Sequence, residues 1–95
     1  MLLYQKAFGS AFDPGIVIPD FFADQSYKND VCPCFVYCRG GGRVIVLWVD
    51  FEAPEKREYL ESQRYTLELH IQGECRHRIL ETDSPEKVTC VLASL

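Results

Sequence analysis

The clearest pattern in the chain is an alternation of apolar and polar side chains from Tyr65 to Gln72. Because successive side chains of a strand point to opposite faces, this alternation predicts a half-buried antiparallel strand. The apolar positions would face the core: Tyr65, Leu67, Leu69 and Ile71. The polar positions would face solvent: Thr66, Glu68, His70 and Gln72. A turn at Gly73 and Glu74 would let Cys75 to Glu81 return as the hairpin partner.

A second alternation, from Val31 to Tyr37, predicts another strand. One face would carry four residues: Cys32, Cys34, Val36 and Cys38. Pro33 lacks a backbone N–H, so this strand would begin at a sheet edge or a bulge. The glycine run between Arg39 and Arg43 has the length of a hairpin connection. The segment from Val44 to Phe51 is apolar on both faces until Asp50, which predicts a central strand covered on both sides.

The C-terminal segment carries the signals of a helix start. Ser84 is a good N-cap, Pro85 suits the first helical position, and Glu86 suits the first turn. The following apolar residues form one helical stripe: Val88, Val91, Leu92 and Leu95. The β-prone residues of this tail also alternate, which leaves a strand as the alternative. We favour the helix because the cap and the stripe agree.

The remaining segments have weaker patterns. Residues 1–8 are predicted to form a strand, and Ile16–Ile18 at most a very short one. Asp20 would cap one or two helical turns, or the aromatic residues after it would hold an irregular loop. The charged segment 51–63 would form a short helix that starts near Pro54, or a polar hairpin loop.

Together these elements predict an α+β fold with a single antiparallel sheet of about five strands. A C-terminal helix and one short connecting helix would accompany the sheet. A chain of 95 residues suits one domain, which would span residues 1–95. If the tail were a strand, the prediction would become a small all-β sheet or barrel.

The composition limits the kinds of partner. The formal net charge is −4, which disfavours direct binding to a nucleic-acid backbone and suits a partner protein with a basic surface. No apolar stretch approaches the ~20 residues that a membrane span needs. The start of the chain has no signal-peptide pattern, so we expect a cytoplasmic protein with reduced thiols. No cofactor is expected.

The five cysteines are the main candidates for chemistry. Cys32, Cys34 and Cys38 have the spacing C-x-C-x3-C, unlike the paired knuckles of structural zinc sites. Buried structural thiols are the favoured interpretation, because cysteine is often fully buried. A small metal-binding module using these three cysteines is the first alternative. The second is an enzyme that pairs Cys75 with a nearby histidine such as His70, but no spacing specifies it. We therefore predict that the protein is not an enzyme.

Acidic and aromatic residues point towards protein binding. Glutamates recur at every third position of the charged segment: Glu52, Glu55, Glu58 and Glu61. Tyr59 lies among them, and Asp20 and Asp24 flank Phe21 and Phe22. Carboxylates would steer a basic partner and an aromatic side chain would anchor it. We expect a small acidic protein that inhibits or occludes a nuclease, a toxin or a defence complex. An exposed sheet edge also allows pairing with a second copy.

Overall fold

The computed structural model describes residues 3–9, 11–27 and 30–95. A single antiparallel sheet has its strands in chain order: β1 (Ala23–Asp24), β2 (Cys34–Gly40), β3 (Arg43–Val49), β4 (Tyr65–Ile71) and β5 (Glu74–Thr82). Two helices flank it, α1 (Leu3–Phe8) and α2 (Pro85–Ala93), and a single 3-10 turn covers Pro54–Lys56. The predicted α+β fold with one antiparallel sheet is confirmed.

Both tight hairpins depend on residues with positive φ. At the β2–β3 connection, Gly41 has a φ of 63° and Gly42 a φ of 76°, a conformation that residues with a Cβ rarely adopt. At the β4–β5 connection, Gln72 and Gly73 have φ values of 51° and 85°. Positive φ at both central residues is the turn that matches the twist of paired strands. This turn lies one residue earlier than predicted, and Glu74 already belongs to β5.

One face of the sheet packs against both helices. The buried members of this core are Phe22, Phe35, Ile45, Leu47, Val49, Tyr65, Leu67, Val88 and Leu92. The predicted helix start is present, because the Ser84 hydroxyl accepts a hydrogen bond from the Lys87 N–H at 3.3 Å. The helix α2 therefore replaces the alternative of a C-terminal strand.

The opposite face of the sheet is less covered. Cys34, Val36 and Cys38 share this face, as predicted, but Cys38 is exposed. In the central strand β3, Val46 is buried on this side whereas Trp48 is only half-buried. The strand β3 is therefore fully covered only on its core face, and not on both sides as predicted.

The prediction of a strand over residues 1–8 is wrong for the residues described, since Leu3–Phe8 form α1. Residues 1 and 2 lie outside the described part. Tyr4 and Phe8 are four positions apart and so share one face of the helix. The Tyr4 ring packs edge-on against Phe35 at 5.8 Å, and the Phe8 ring against Phe51 at 6.3 Å. These aromatic contacts favour the helix over the local alternation.

The predicted helical turns after Asp20 are also wrong. The Phe22 N–H donates to Pro19 O in a tight turn, and β1 follows directly. Ala23 pairs with Val36 of β2, so this short strand becomes the sheet edge. Pairing with β2 gives the backbone groups partners that an isolated helical turn would leave in solvent. Ile16–Ile18 has no regular structure.

The start of β2 also differs from the prediction. The strand begins at Cys34 rather than Val31, and the fully buried Pro33 precedes it. The Val49 N–H donates to Pro33 O at 3.0 Å, so the chain before β2 still runs beside β3. Within the described ranges, neither α1 nor α2 has the length or apolar character to cross a bilayer.

Candidate functional site

The acidic loop, residues 51–62, connects the central strands β3 and β4 and carries the predicted glutamate series. The Asp50 N–H donates to Arg64 O at 2.7 Å, which closes the base of the loop. Inside it, the Ser62 N–H donates to Tyr59 O at 3.1 Å. A loop whose ends meet and whose own groups pack inside it is of the Ω type. The segment predicted as a short helix or a polar loop is thus mainly a compact loop with one 3-10 turn.

Arg57 holds the acidic loop together from inside. Its side chain is only 5% exposed. The guanidinium donates to Phe51 O at 2.7 Å, Ser62 O at 2.6 Å and Glu52 O at 3.1 Å. It also contacts the Asp83 carboxylate at 3.1 Å. One planar group thus joins both ends of the loop to the turn before α2, and the fixed fork of donors suits these diverging acceptors.

Arg64 performs a similar function at the base of the acidic loop. Its side chain is buried and donates to Asp50 O at 3.2 Å and to Asp13 O. Its backbone N–H donates to the Asp83 carboxylate at 2.9 Å. Burial raises the pKa of the Asp50 carboxyl, while the Phe51 N–H, which donates to it, opposes the shift. The loop is therefore fixed at its base and in its middle by charged groups that solvent hardly reaches.

The outer surface of the acidic loop combines charge with apolar area. The predicted contact residues of this segment are all exposed: Glu52, Glu55, Glu58, Tyr59 and Glu61. Tyr59 is 59% exposed, and its neighbour Leu60 is 70% exposed. The sequence predicted Tyr59 as a contact residue but did not include its neighbour Leu60 in that set. The available signal was a pair of large apolar residues between glutamates.

The second predicted contact set lies at the β1 edge of the sheet. Asp20 is exposed and Phe21 is 48% exposed, so both are accessible. Phe22 is 7% exposed and belongs to the core. The Asp24 carboxylate accepts hydrogen bonds from the N–H groups of Tyr4 and Ser26, each at 3.0 Å. Since the acidic loop joins β3 and β4, the structure places the two predicted sets on different parts of the sheet.

A cleft of about 640 Å³ opens beside the acidic loop. Its walls include the aromatic rings of Phe8, Phe12 and Phe51, and the ring centroids of Phe12 and Phe51 are 5.3 Å apart. Asp13, Glu52 and Glu55 line the same cleft, together with Lys56. Sequence reasoning missed it because the strand predicted over residues 1–8 did not place Phe8 near the loop. The cleft extends the surface around the loop with aromatic and acidic groups.

The three central cysteines do not converge on one point. Cys34 and Cys38 lie four positions apart on β2, or about 13 Å at the rise of a strand. Burial raises the pKa of the Cys34 thiol to about 12, and nearby carboxylates add to the shift. Burial likewise raises the pKa of the Cys32 thiol, with the Asp50 carboxylate as a further cause. Cys32 and Cys34 are therefore neutral buried thiols at physiological pH.

Another group of polar side chains lies on the face opposite the core. His70 of β4 and Cys75 of β5 are direct partners in the ladder, and Glu68 precedes His70 by two residues. The His70 Nε2 lies 3.0 Å from the Glu68 Oε1. The Trp48 indole N–H donates to the same carboxylate oxygen at 3.1 Å. The sequence placed His70 on the outer face, as found, but Trp48 was not expected to join this group.

Comparison of the chain with protein-family models, curated protein sequences and solved structures gives no match. The fold defines a small α+β protein with one open antiparallel sheet. Its function must therefore be inferred from its own side chains.

Proposed function

We propose that this protein binds a basic surface of another protein through the acidic loop and thereby blocks that surface. The observation that carries the proposal is a fixed loop that presents two neighbouring apolar side chains among exposed glutamates. Tyr59 and Leu60 are 59% and 70% exposed, whereas the side chain of Arg57 in the same loop is only 5% exposed.

The internal contacts of the loop favour binding over a merely solvated surface. A loop already held in one conformation loses little entropy when it associates. Arg57 supplies that order through hydrogen bonds to Phe51 O, Glu52 O and Ser62 O. Burial of one large apolar side chain in an interface contributes about 1.5–3 kcal/mol. Tyr59 and Leu60 are accessible for such burial, and Tyr is enriched among the residues that dominate interfaces.

The charge of the loop indicates the chemistry of the partner. Glu52, Glu55, Glu58 and Glu61 are exposed, and the whole chain has a net charge of −4. Such a surface attracts basic proteins and repels a phosphate backbone. We therefore favour an inhibitor of a nuclease, a toxin or a defence complex, which acts by occlusion rather than catalysis.

We also propose that the protein works in the cytoplasm. All five cysteines lie within the described residues and none of them forms a disulfide. Reduced thiols of this kind are typical of cytoplasmic proteins.

The two alternatives from the sequence have less support. A metal module built on Cys32, Cys34 and Cys38 would need three thiolates at one point, whereas two of these thiols are buried and Cys38 is exposed. A Cys–His enzyme would use Cys75 and His70, but the His70 ring is directed at Glu68. The acidic loop, with its exposed apolar pair and its glutamates, is therefore the surface that we favour for binding.

Affinity capture from an extract of the native host tests the proposal. The bait variant Tyr59→Ser/Leu60→Ser removes the apolar pair from the loop surface. The control Val17→Ser removes another exposed apolar side chain, which is 87% exposed and lies outside the loop. We expect the wild type and the control to retain the same protein, identified by mass spectrometry, and the loop variant to lose it. Equal retention by all three would overturn the proposal.

A further inference from the structure

The solvent-facing side of the β4–β5 hairpin brings together three side chains of the kinds that bind zinc. One ligand atom from each of Glu68, His70 and Cys75 lies within 4.8 Å of the other two. Zinc is held in proteins by thiolate, imidazole and carboxylate groups. We propose that these three residues form a zinc-type metal site with a fourth position open to water or an external ligand.

The strand register explains why these side chains converge. His70 and Cys75 are opposite each other in the ladder, where Cβ atoms lie about 4.5–5.5 Å apart. Glu68 lies two positions before His70, so both side chains are on the same face. The positive-φ turn at Gln72 and Gly73 connects the two strands directly. The hairpin backbone therefore fixes the spacing of the three ligands.

The separation of the Glu68 and His70 ligand atoms is close to that of a tetrahedral site, and the Cys75 sulfur lies within 4.8 Å of both. Metal–ligand distances of about 2.0–2.3 Å place neighbouring ligand atoms about 3.3–3.8 Å apart. The Glu68 Oε1 and His70 Nε2 are already 3.0 Å apart. Cys75 is exposed, so its side chain can rotate towards the other two without disturbing the core. Small side-chain movements are enough to complete the site.

Contacts around the carboxylate hold it in place for a metal. The Glu68 side chain is 14% exposed and that of His70 is 23% exposed. The Trp48 N–H donates to the Glu68 Oε1 at 3.1 Å, and the Arg78 guanidinium lies 3.9 Å from the Oε2. A carboxylate oxygen accepts about two bonds, so the direction now occupied by His70 is available to an ion. Such outer contacts commonly tune metal affinity.

The ligand set selects the kind of ion. A thiolate and an imidazole favour zinc or cobalt over magnesium and calcium, which prefer oxygen ligands. On binding, the metal–sulfur bond forms and the Cys75 thiol proton passes to solvent. The proton that the His70 Nε2 donates to the Glu68 carboxylate moves through solvent to the Nδ1, so that the Nε2 lone pair can bind the metal. Three protein ligands leave one position of a tetrahedral ion free, as in zinc sites that exchange a water molecule.

Metal titration of the full-length chain tests the site. Protein freed of metal with a chelator is titrated with Zn²⁺ against a chromophoric competitor. We expect one equivalent to bind, and His70→Gln and Cys75→Ser each to weaken binding by at least about tenfold, the lower end of the loss caused by removing even an outer contact. With Co²⁺, the wild type should show a thiolate-to-cobalt charge-transfer band that Cys75→Ser lacks.

Matched controls separate this site from general thiol binding. Cys38 and Cys90 are also exposed, and we expect Cys38→Ser and Cys90→Ser to leave zinc affinity unchanged. Because Cys75 is exposed, Cys75→Ser should keep the wild-type circular dichroism spectrum and unfolding midpoint. No zinc binding at micromolar concentrations would overturn the proposal. So would an affinity that depends on Cys38 or Cys90 but not on Cys75 and His70.

Discussion

Arg57 is the residue on which the shape of the acidic loop most depends. Its buried guanidinium serves three backbone carbonyls and one carboxylate. Arg57→Ala would leave those carbonyls without their partner, and a hydrogen bond to a charged group is worth about 1.5–3 kcal/mol. We expect the free energy of unfolding, measured with urea, to fall by about 2 kcal/mol or more.

Two variants control the Arg57 experiment. Lys56 is exposed and adjacent, so Lys56→Ala should change the unfolding free energy by less than about 0.5 kcal/mol. Arg57→Lys should recover only part of the loss, because a single ammonium cannot reach acceptors in several directions. Wild-type stability of Arg57→Ala would contradict the assigned function of this side chain.

A second prediction at the scale of residues concerns Cys34 and the stability of the fold at alkaline pH. Burial raises the pKa of its thiol from 9.0 to about 12. The unfolded chain therefore loses this proton at lower pH than the folded chain does. The stabilisation is complete below pH 9 and is lost as the pH rises towards 12.

Thermal unfolding across this pH range measures the effect. We expect the midpoint of the wild type to fall as the pH rises above 9. Cys34→Val, which has no ionisable group at this position, should show a shallower decrease. Identical pH profiles would show that the Cys34 thiol is not desolvated in the folded protein.

At the scale of elements, α2 depends on its cap as well as its apolar stripe. The Ser84 hydroxyl accepts from the Lys87 N–H, and removal of such a cap costs about 1 kcal/mol. Ser84→Ala should lower the unfolding free energy by about that amount in a denaturant titration. Thr89→Ala changes an exposed position inside the same helix and should not destabilise it. Equal stability of Ser84→Ala and the wild type would exclude a capping function.

The elements also show which structures the sequence can predict. Three features could be predicted because their signals lie in neighbouring residues: the alternation in β4, the glycine-rich hairpin of β2 and β3, and the capped apolar stripe of α2. The elements α1 and β1 are not, because their partners are distant. Tyr4 packs on Phe35, and Ala23 pairs with Val36. A two-residue strand is also too short to show any period.

The same distinction applies to the acidic loop. The exposure of its glutamates could be predicted, because their regular spacing is a local feature of the sequence. The function of Arg57 could not be predicted, because its acceptors at Phe51, Glu52 and Ser62 are backbone carbonyls. Every residue has a backbone carbonyl, so residue identity does not show which of them will accept a hydrogen bond. Leu60 was not predicted as a contact residue, and nothing local distinguishes a compact loop from a short helix.

At the scale of the whole molecule, charge is separated along the strands. The two tight hairpin turns lie together at one end of the sheet, where the Gln72 N–H donates to Gly42 O. Exposed Arg39 and Arg43 lie near these turns, as does Arg76, which forms an ion pair with Glu74 at 3.3 Å. The acidic loop is at the other end, since it joins β3 to β4. Strands of seven residues separate the two ends by about 23 Å.

This separation of charge favours one direction of approach for a charged partner. A basic partner would be attracted to the end that carries the acidic loop and repelled by the end that carries the arginines. The edge strand β5 also exposes Arg76 and Arg78, and charged side chains on an edge disfavour pairing with a second copy. The electrostatic field of the whole molecule and the exposed apolar pair thus both favour contact through the acidic loop.

The most direct test is the salt dependence of binding to the captured partner. Titration calorimetry at low and physiological ionic strength would compare the wild type with Glu55→Lys/Glu58→Lys. The control, Glu74→Lys/Glu81→Lys, makes the same change of net charge on exposed residues of β5 and also breaks their ion pairs with Arg76 and Arg78. We predict that only the loop variant loses at least about tenfold in affinity at low salt, a coupling of about 1.4 kcal/mol, and most of its salt dependence. Unchanged affinity and salt dependence of the loop variant would contradict the account.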